Sequence, residues 1–114
     1  MTVLTEKQFE NQVKKYLNDK NCWVLKTWSN GTQRKGVPDL LVCCGGFFVG
    51  VELKAQNGHV SELQKWNIEK IREAGGVAMV LYPDQFEAFK VLIEKLLKSS
   101  DPDKNGFYSQ WIFD

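Results

Sequence analysis

One histidine and three cysteines among 114 residues leave little from which to build a soft-metal site. Cys22, Cys43 and Cys44 make no C-x-x-C pair and His59 has no second imidazole to join it, which excludes a structural zinc centre of the usual kind. Cys43 and Cys44 are adjacent and on a strand would point to opposite faces; buried, reduced thiols are expected. Also missing is any apolar run near the roughly eighteen residues that cross a bilayer. The N-terminal stretch is polar, with Lys7, Lys14, Lys15 and Lys20 scattered through it, unlike a secretory leader. A soluble, cytoplasmic protein without a membrane partner is expected. Strong charge of one sign is absent too: the net charge is +1, so no global field selects a partner.

What is present reads as one domain over residues 1–114, ordinary in composition at 43% hydrophobic and 25% charged. Charge is unevenly spread. Residues 1–36 carry seven Lys/Arg against three acids, while residues 37–114 carry eight against eleven. A basic N-terminal third suits a phosphate backbone, although a solvated surface has the same composition. Thr5 and Gln8 form a capping box ahead of a helix over Glu6–Asp19, with Phe9, Val13, Tyr16 and Leu17 at helical spacing and Asn21 as its stop. Strands are predicted over Cys22–Trp28, Asp39–Cys44 and Phe47–Lys54. A second helix spans Ser61–Ala74, ended by Gly75 and Gly76; a fourth strand covers Val77–Tyr82. A third helix covers Asp84–Lys98 with Asp84 as its cap. The tail, 99–114, opens as a loop and ends in Phe107, Tyr108, Trp111, Ile112 and Phe113, too apolar for solvent; it packs on this core or against a second subunit. The fold class is therefore α/β, a mixed sheet flanked by helices.

Gly45-Gly46 is a two-residue hairpin turn. Across it Cys44 faces Phe47, and counting back places Asp39 opposite Glu52, on one face with Cβ atoms roughly 4.5–5.5 Å apart. Lys54, two residues beyond Glu52, projects to that same face. A bulge would break the count. Two carboxylates so close repel unless a cation separates them, and oxygen ligands favour Mg²⁺ or Mn²⁺. Beside such an ion Lys54 orients water or stabilises charge on a phosphate in transition. A surface cluster of Glu and Lys is the commoner meaning of this triplet. Two details favour the metal. Pro38-Asp39 opens a strand where a ligand should stand, and Glu52 interrupts the apolar run Phe47–Val51, where a charge is costly unless paired or bound.

At these residues the chain resembles the PD-(D/E)XK nuclease superfamily, and within it the VRR-NUC family. The marks are Lys35, Gly36, Val37, Pro38 and Asp39, then Glu52, Leu53 and Lys54, then Gly58 to Gln64, then Gly75 and Gly76, a motif core within residues 6–85. The resemblance implies a restriction-endonuclease-like core of order αβββαβ, here followed by a C-terminal helix and the aromatic tail. It implies that Asp39, Glu52 and the Leu53 carbonyl bind the metal and that Lys54 is catalytic. It places a glutamate on the first helix near the metal. Glu6 and Glu10 both qualify; Glu10 is chosen because its spacing to Val13 is similar to that in archaeal Holliday junction resolvases. Its bland alternative is a solvated acid beside Lys14. Gln64 is the implied active-site glutamine, although Ser61 and Gln64 also read as a capping box.

Lys26, Arg34 and Lys35 lie just before Asp39 and, with Ser61, are the candidate DNA contacts. Trp28 is expected in the core, stacking on an unpaired base being the alternative; His59 is expected to have no role. The leading expectation is a metal-dependent DNA endonuclease, selective for four-way junctions and acting as a homodimer. A general nickase or flap nuclease, and a non-catalytic DNA-binding module of the same fold, are the alternatives.

Overall fold

A computed structural model describes residues 4–28 and 35–99. Arg34 and the aromatic tail lie outside the described residues. Helix α1 (Glu6–Asp19) starts on the expected capping box: the Thr5 hydroxyl accepts the Gln8 N–H at 3.0 Å and the Gln8 side chain accepts the Thr5 N–H at 2.9 Å. It stops where Asn21 takes a φ of 61°, a left-handed turn that asparagine tolerates.

Strands β1 (Trp23–Lys26), β2 (Leu40–Cys44), β3 (Phe47–Leu53) and β4 (Val77–Leu81) form one sheet in the order β1-β2-β3-β4. The first three are antiparallel, and β4 runs parallel to β3 after the crossover through α2 (Glu62–Glu73). Gly45 and Gly46 both have positive φ, 58° and 89°, as a tight two-residue hairpin requires. The register is the one counted from the sequence: Cys44 pairs with Phe47 and Leu40 with Val51. After β4 a single 3-10 turn (Pro83–Gln85) leads into α3 (Phe86–Lys98). Asp84 therefore does not cap α3, a correction to the expectation. It lies inside the 3-10 turn, and the Gln85 side chain accepts the Tyr82 N–H at 3.2 Å instead.

The strands alternate as period two demands. Leu40, Val42, Cys44, Val49, Val51 and Leu53 face Phe9, Val13 and Leu17 of α1 and Phe89 and Ile93 of α3, all buried. Helix α2 packs on the other face, where Ile71 sits over Gly50: a Cβ there would stand 3.1 Å from Ile71 Cδ1. This second face is only partly covered, and Trp23, Leu25 and Phe48 remain exposed on it. Of the cysteines, Cys22 and Cys44 are buried with their sulfurs 2.6 Å apart, and burial pushes the Cys44 thiol up to about 12. Cys43, expected to be buried, is exposed because its strand position turns it to the uncovered face. No helix among the described residues is long and apolar enough to cross a membrane.

Candidate active site

The acids gather where the hairpin opens away from its turn. The ladder of β2 and β3 ends at Leu40 and Val51, one residue short of Asp39 and Glu52. Asp39 was expected to be the first residue of β2. Instead its carboxylate takes the place of the next ladder partner: Asp39 Oδ2 accepts the Leu53 N–H at 2.8 Å. A strand residue presents its N–H and C=O to the same side, so the Leu53 carbonyl is also on the Asp39 side. From the other flank Thr27 fixes Asp39, its N–H donating to the Asp39 carbonyl at 2.9 Å and its hydroxyl donating to the Pro38 carbonyl at 2.9 Å.

Glu52 is the strained member. It is 3% exposed, and its Oε1 is buried without a hydrogen-bond partner. Its Oε2 accepts from Gln64 Nε2 at 2.8 Å and stands 3.4 Å from Lys54 Nζ. Burial first, then the neighbouring Asp39 charge, pushes the Glu52 carboxyl up to about 7, against the downward pull of Lys54. Gln64 does two things with one amide. Its Oε1 accepts the Ser61 N–H at 2.9 Å, completing the capping box of α2, while its Nε2 holds Glu52. The two sequence readings of Gln64 are thus compatible.

Glu10 enters from α1. It is 5% exposed, whereas Glu6 is exposed, and it lines a cleft of about 300 Å³ together with Asp39, Glu52 and Gln64. Three ammonium groups surround it: Lys26 on Oε1, and Lys7 and Lys14 at 3.1 Å and 3.4 Å from Oε2. Burial works to raise the Glu10 carboxyl, but the three lysines together hold it below the usual range. It is therefore not a solvated acid, although Lys14 does pair with it. Lys54 is not among the residues lining the cleft; its Nζ is beside Glu52 Oε2, at 3.4 Å.

Among the described residues no three of Asp, Glu, His or Cys already converge as a metal cage. The donor set nevertheless fits a hard divalent cation: two adjacent carboxylates, one of them with a buried oxygen left over, beside a backbone carbonyl.

Of the remaining expected residues, Lys35 is exposed and Ser61 caps α2, its hydroxyl accepting the Gln64 N–H at 3.1 Å. Trp28 corrects the expectation of core packing. It is 65% exposed, past the end of β1, with the Lys26 ammonium 5.8 Å from its ring. His59 is exposed. Two residues that position the site were missed. Thr27 faces Asp39 only if the β1–β2 register is known, and the sequence between those strands is too long for a two-residue turn to set it. Asn67, given no role from the sequence, is buried, and its Nδ2 donates to the carbonyls of Lys35 (3.3 Å) and Leu63 (3.0 Å). Gly36 lies against it with a φ of 78°, and a Cβ there would meet Leu63 Cγ at 2.6 Å and Asn67 Nδ2 at 2.8 Å. The glycine ahead of Pro38-Asp39 lets the chain approach α2.

The family model described as archaeal Holliday junction resolvase (Hjc) matches residues 5–103. The chain belongs to that family. A solved structure described as a VRR_NUC domain is 24% identical, with 85% of this chain and 98% of that chain covered and a TM-score of 0.61, which extends the likeness to the fold. No curated protein matches. The protein is thus a nuclease-family member with the restriction-endonuclease-like order of elements.

Proposed function

We propose that this resolvase-family chain hydrolyses phosphodiester bonds in branched DNA with the aid of Mg²⁺ or Mn²⁺. One observation carries the reading: two carboxylates meet at the end of a β ladder, and one of them keeps a buried oxygen with no partner. Asp39, Glu52 and the Leu53 carbonyl are the ligands in this reading, with Glu10 at the near side. When bound, such an ion supplies positive charge against the phosphate and acidity toward water.

The chain's own residues do the rest. Asp39 is held by Leu53 and Thr27, so its carboxylate is pre-set and not recruited. Gln64 fixes the orientation of Glu52 from the start of α2. Lys54 Nζ, beside Glu52, offers charge and protons to the oxygens of the phosphate under attack. Lys26, Lys35 and Arg34 supply backbone contacts, and the Ser61 hydroxyl proton is available to a phosphate at the start of α2. Two sites are needed to cut a symmetric junction on both sides, and the exposed Trp23, Leu25 and Phe48, with Leu63 and Trp66 on α2, favour burial against a second copy.

The test is a cleavage panel of four-way junction, flap, duplex and single-stranded DNA, each with Mg²⁺, Mn²⁺ and chelator. Paired cuts confined to the junction are expected. Cutting of every substrate refutes the selectivity, and binding without cutting under all conditions refutes the enzyme. Asp39→Asn is expected to abolish cleavage with the thermal transition retained.

A further inference from the structure

Glu10 is the acid of the cleft that stands apart. Asp39 and Glu52 are neighbours, yet no third acid joins them among the described residues, and both Glu10 oxygens are paired with lysines. Those lysines are not equivalent. Lys7 and Lys14 reach Glu10 along its own helix, three residues before it and four after it. Lys7 and Lys26 both line the cleft, but Lys26 comes from β1 and its backbone is fixed by the sheet, since it pairs with Leu40, the residue after Asp39. Its side chain is 24% exposed, so it meets Glu10 where solvent screens poorly. A monovalent cation thus already pairs with Glu10 inside the cleft that Asp39 and Glu52 also line.

We propose that Lys26 is a displaceable counter-cation: it withholds Glu10 from Asp39 and Glu52 until a divalent cation enters, and the ammonium then released contacts a DNA phosphate at the mouth of the cleft. The proposal rests on the metal-dependent reading above. It makes cation and DNA binding mutually reinforcing, because linkage between two sites is reciprocal. Lys26 is a positioning residue in this scheme: it acts through Glu10.

Mn²⁺ affinity of the full chain, measured by calorimetry in the absence of DNA, tests it. Lys26→Met keeps the stem and removes the charge, and is expected to tighten Mn²⁺ roughly tenfold, the scale on which one adjacent charge moves a coupled equilibrium. Lys14→Met, on the same carboxylate but from the helix side, is expected to change affinity less than about twofold, since Lys14 does not line the cleft. In a Glu10→Gln background the gain from Lys26→Met disappears. An unchanged or weaker Mn²⁺ affinity in Lys26→Met overturns the proposal, as does a gain that persists with Glu10→Gln. Lys26→Gln, with its thermal transition recorded, guards against a folding artefact. A wild type that binds no Mn²⁺, or binds it unaffected by Asp39→Asn, overturns the metal reading itself. Binding sensitive to Asp39 but indifferent to Lys26 overturns only the counter-cation. The phosphate contact has its own readout. In a Lys54→Met background, Lys26→Met is expected to reduce the salt slope of DNA binding by about one with Mn²⁺ present and not with chelator; equal reductions overturn it.

Discussion

Replacing Glu52 by glutamine is expected to stabilise the metal-free protein at pH 8 and to leave it unchanged at pH 4.5. Glu52 is 3% exposed and has one oxygen without a partner. Burial and the Asp39 charge hold its carboxyl at about 7 against an ordinary value of 4.5. Below 4.5 both the folded and the unfolded chain carry the proton, and the group is neutral to stability. Between 4.5 and about 7 the unfolded chain ionises while the fold keeps its proton, so the folded state binds more protons and stability falls as pH rises. Above about 7 the loss is complete, and the gap in pKa converts to about 3 kcal/mol. For a domain of this size that corresponds to a melting shift of roughly 10 °C or more. Thermal unfolding of wild type and Glu52→Gln from pH 4.5 to 8.5 in chelator measures it. Glu10 titrates with the opposite sign, its stabilisation present above the unfolded value and lost as pH falls through the lower folded one. The difference between the two proteins, which share Glu10, is therefore the informative quantity. A divalent cation should then raise the wild-type melting temperature at pH 8 and leave the variant's unchanged. Parallel melting curves across the whole range would refute the claim that Glu52 is an unfavourably placed charge.

Gly36→Ala, at a positive φ and with Leu63 and Asn67 inside contact distance, is expected to cost about 1–3 kcal/mol in urea unfolding and to lower cleavage by shifting the segment before Asp39. Gln64→Leu should cost about 1 kcal/mol through its cap and also depress cleavage roughly 10–100-fold through Glu52. Ser61→Ala, which breaks the same cap without touching Glu52, should show the stability loss with only the modest loss of DNA affinity that one phosphate contact carries. Phe48→Glu, at an exposed position, should leave the melting temperature nearly unchanged and abolish the proposed dimer, read by light scattering.

How far the sequence could be read depended on which constraints are local. The β2–β3 register was countable because Gly45 and Gly46 permit a two-residue turn, and everything up to the pairing of Leu40 with Val51 followed from it. The caps at Thr5 and Ser61 were equally local. The register of β1 was not countable, since a longer connection separates it from β2, and so the grip of Thr27 on Asp39 and the meeting of Lys26 with Glu10 went unseen. Trp28 was misplaced for a related reason: strand propensity counts aromatic residues but does not say where a strand ends, and β1 ends at Lys26. Asp84 was misread because proline at the start of a helix fits a 3-10 turn as well as an α-helix. The choice of Glu10 over Glu6 came from resemblance alone; both are acids near the start of α1, and only the tertiary packing buries one of them.

A site that costs the fold about 3 kcal/mol needs something to enforce it, and that enforcement lies in the residues between the acids and the turn. Sliding β3 by one position against β2 would part Glu52 from Asp39, but the same slip would turn Glu52 into the apolar face packed by α1 and α3 and turn Val49 and Val51 out of it. Leu40, Val42, Val49 and Val51 are each at most 1% exposed, and a buried residue of this kind contributes about 1.5–3 kcal/mol. Losing even two of them outweighs the relief of one carboxylate. The Gly45-Gly46 turn opposes the slip as well, since an odd offset would need a different loop. The acids are therefore held in their unfavourable contact by an apolar ladder that takes no part in the chemistry. That is why the alternation of the hairpin, and not the acidic residues alone, made the site visible in the sequence.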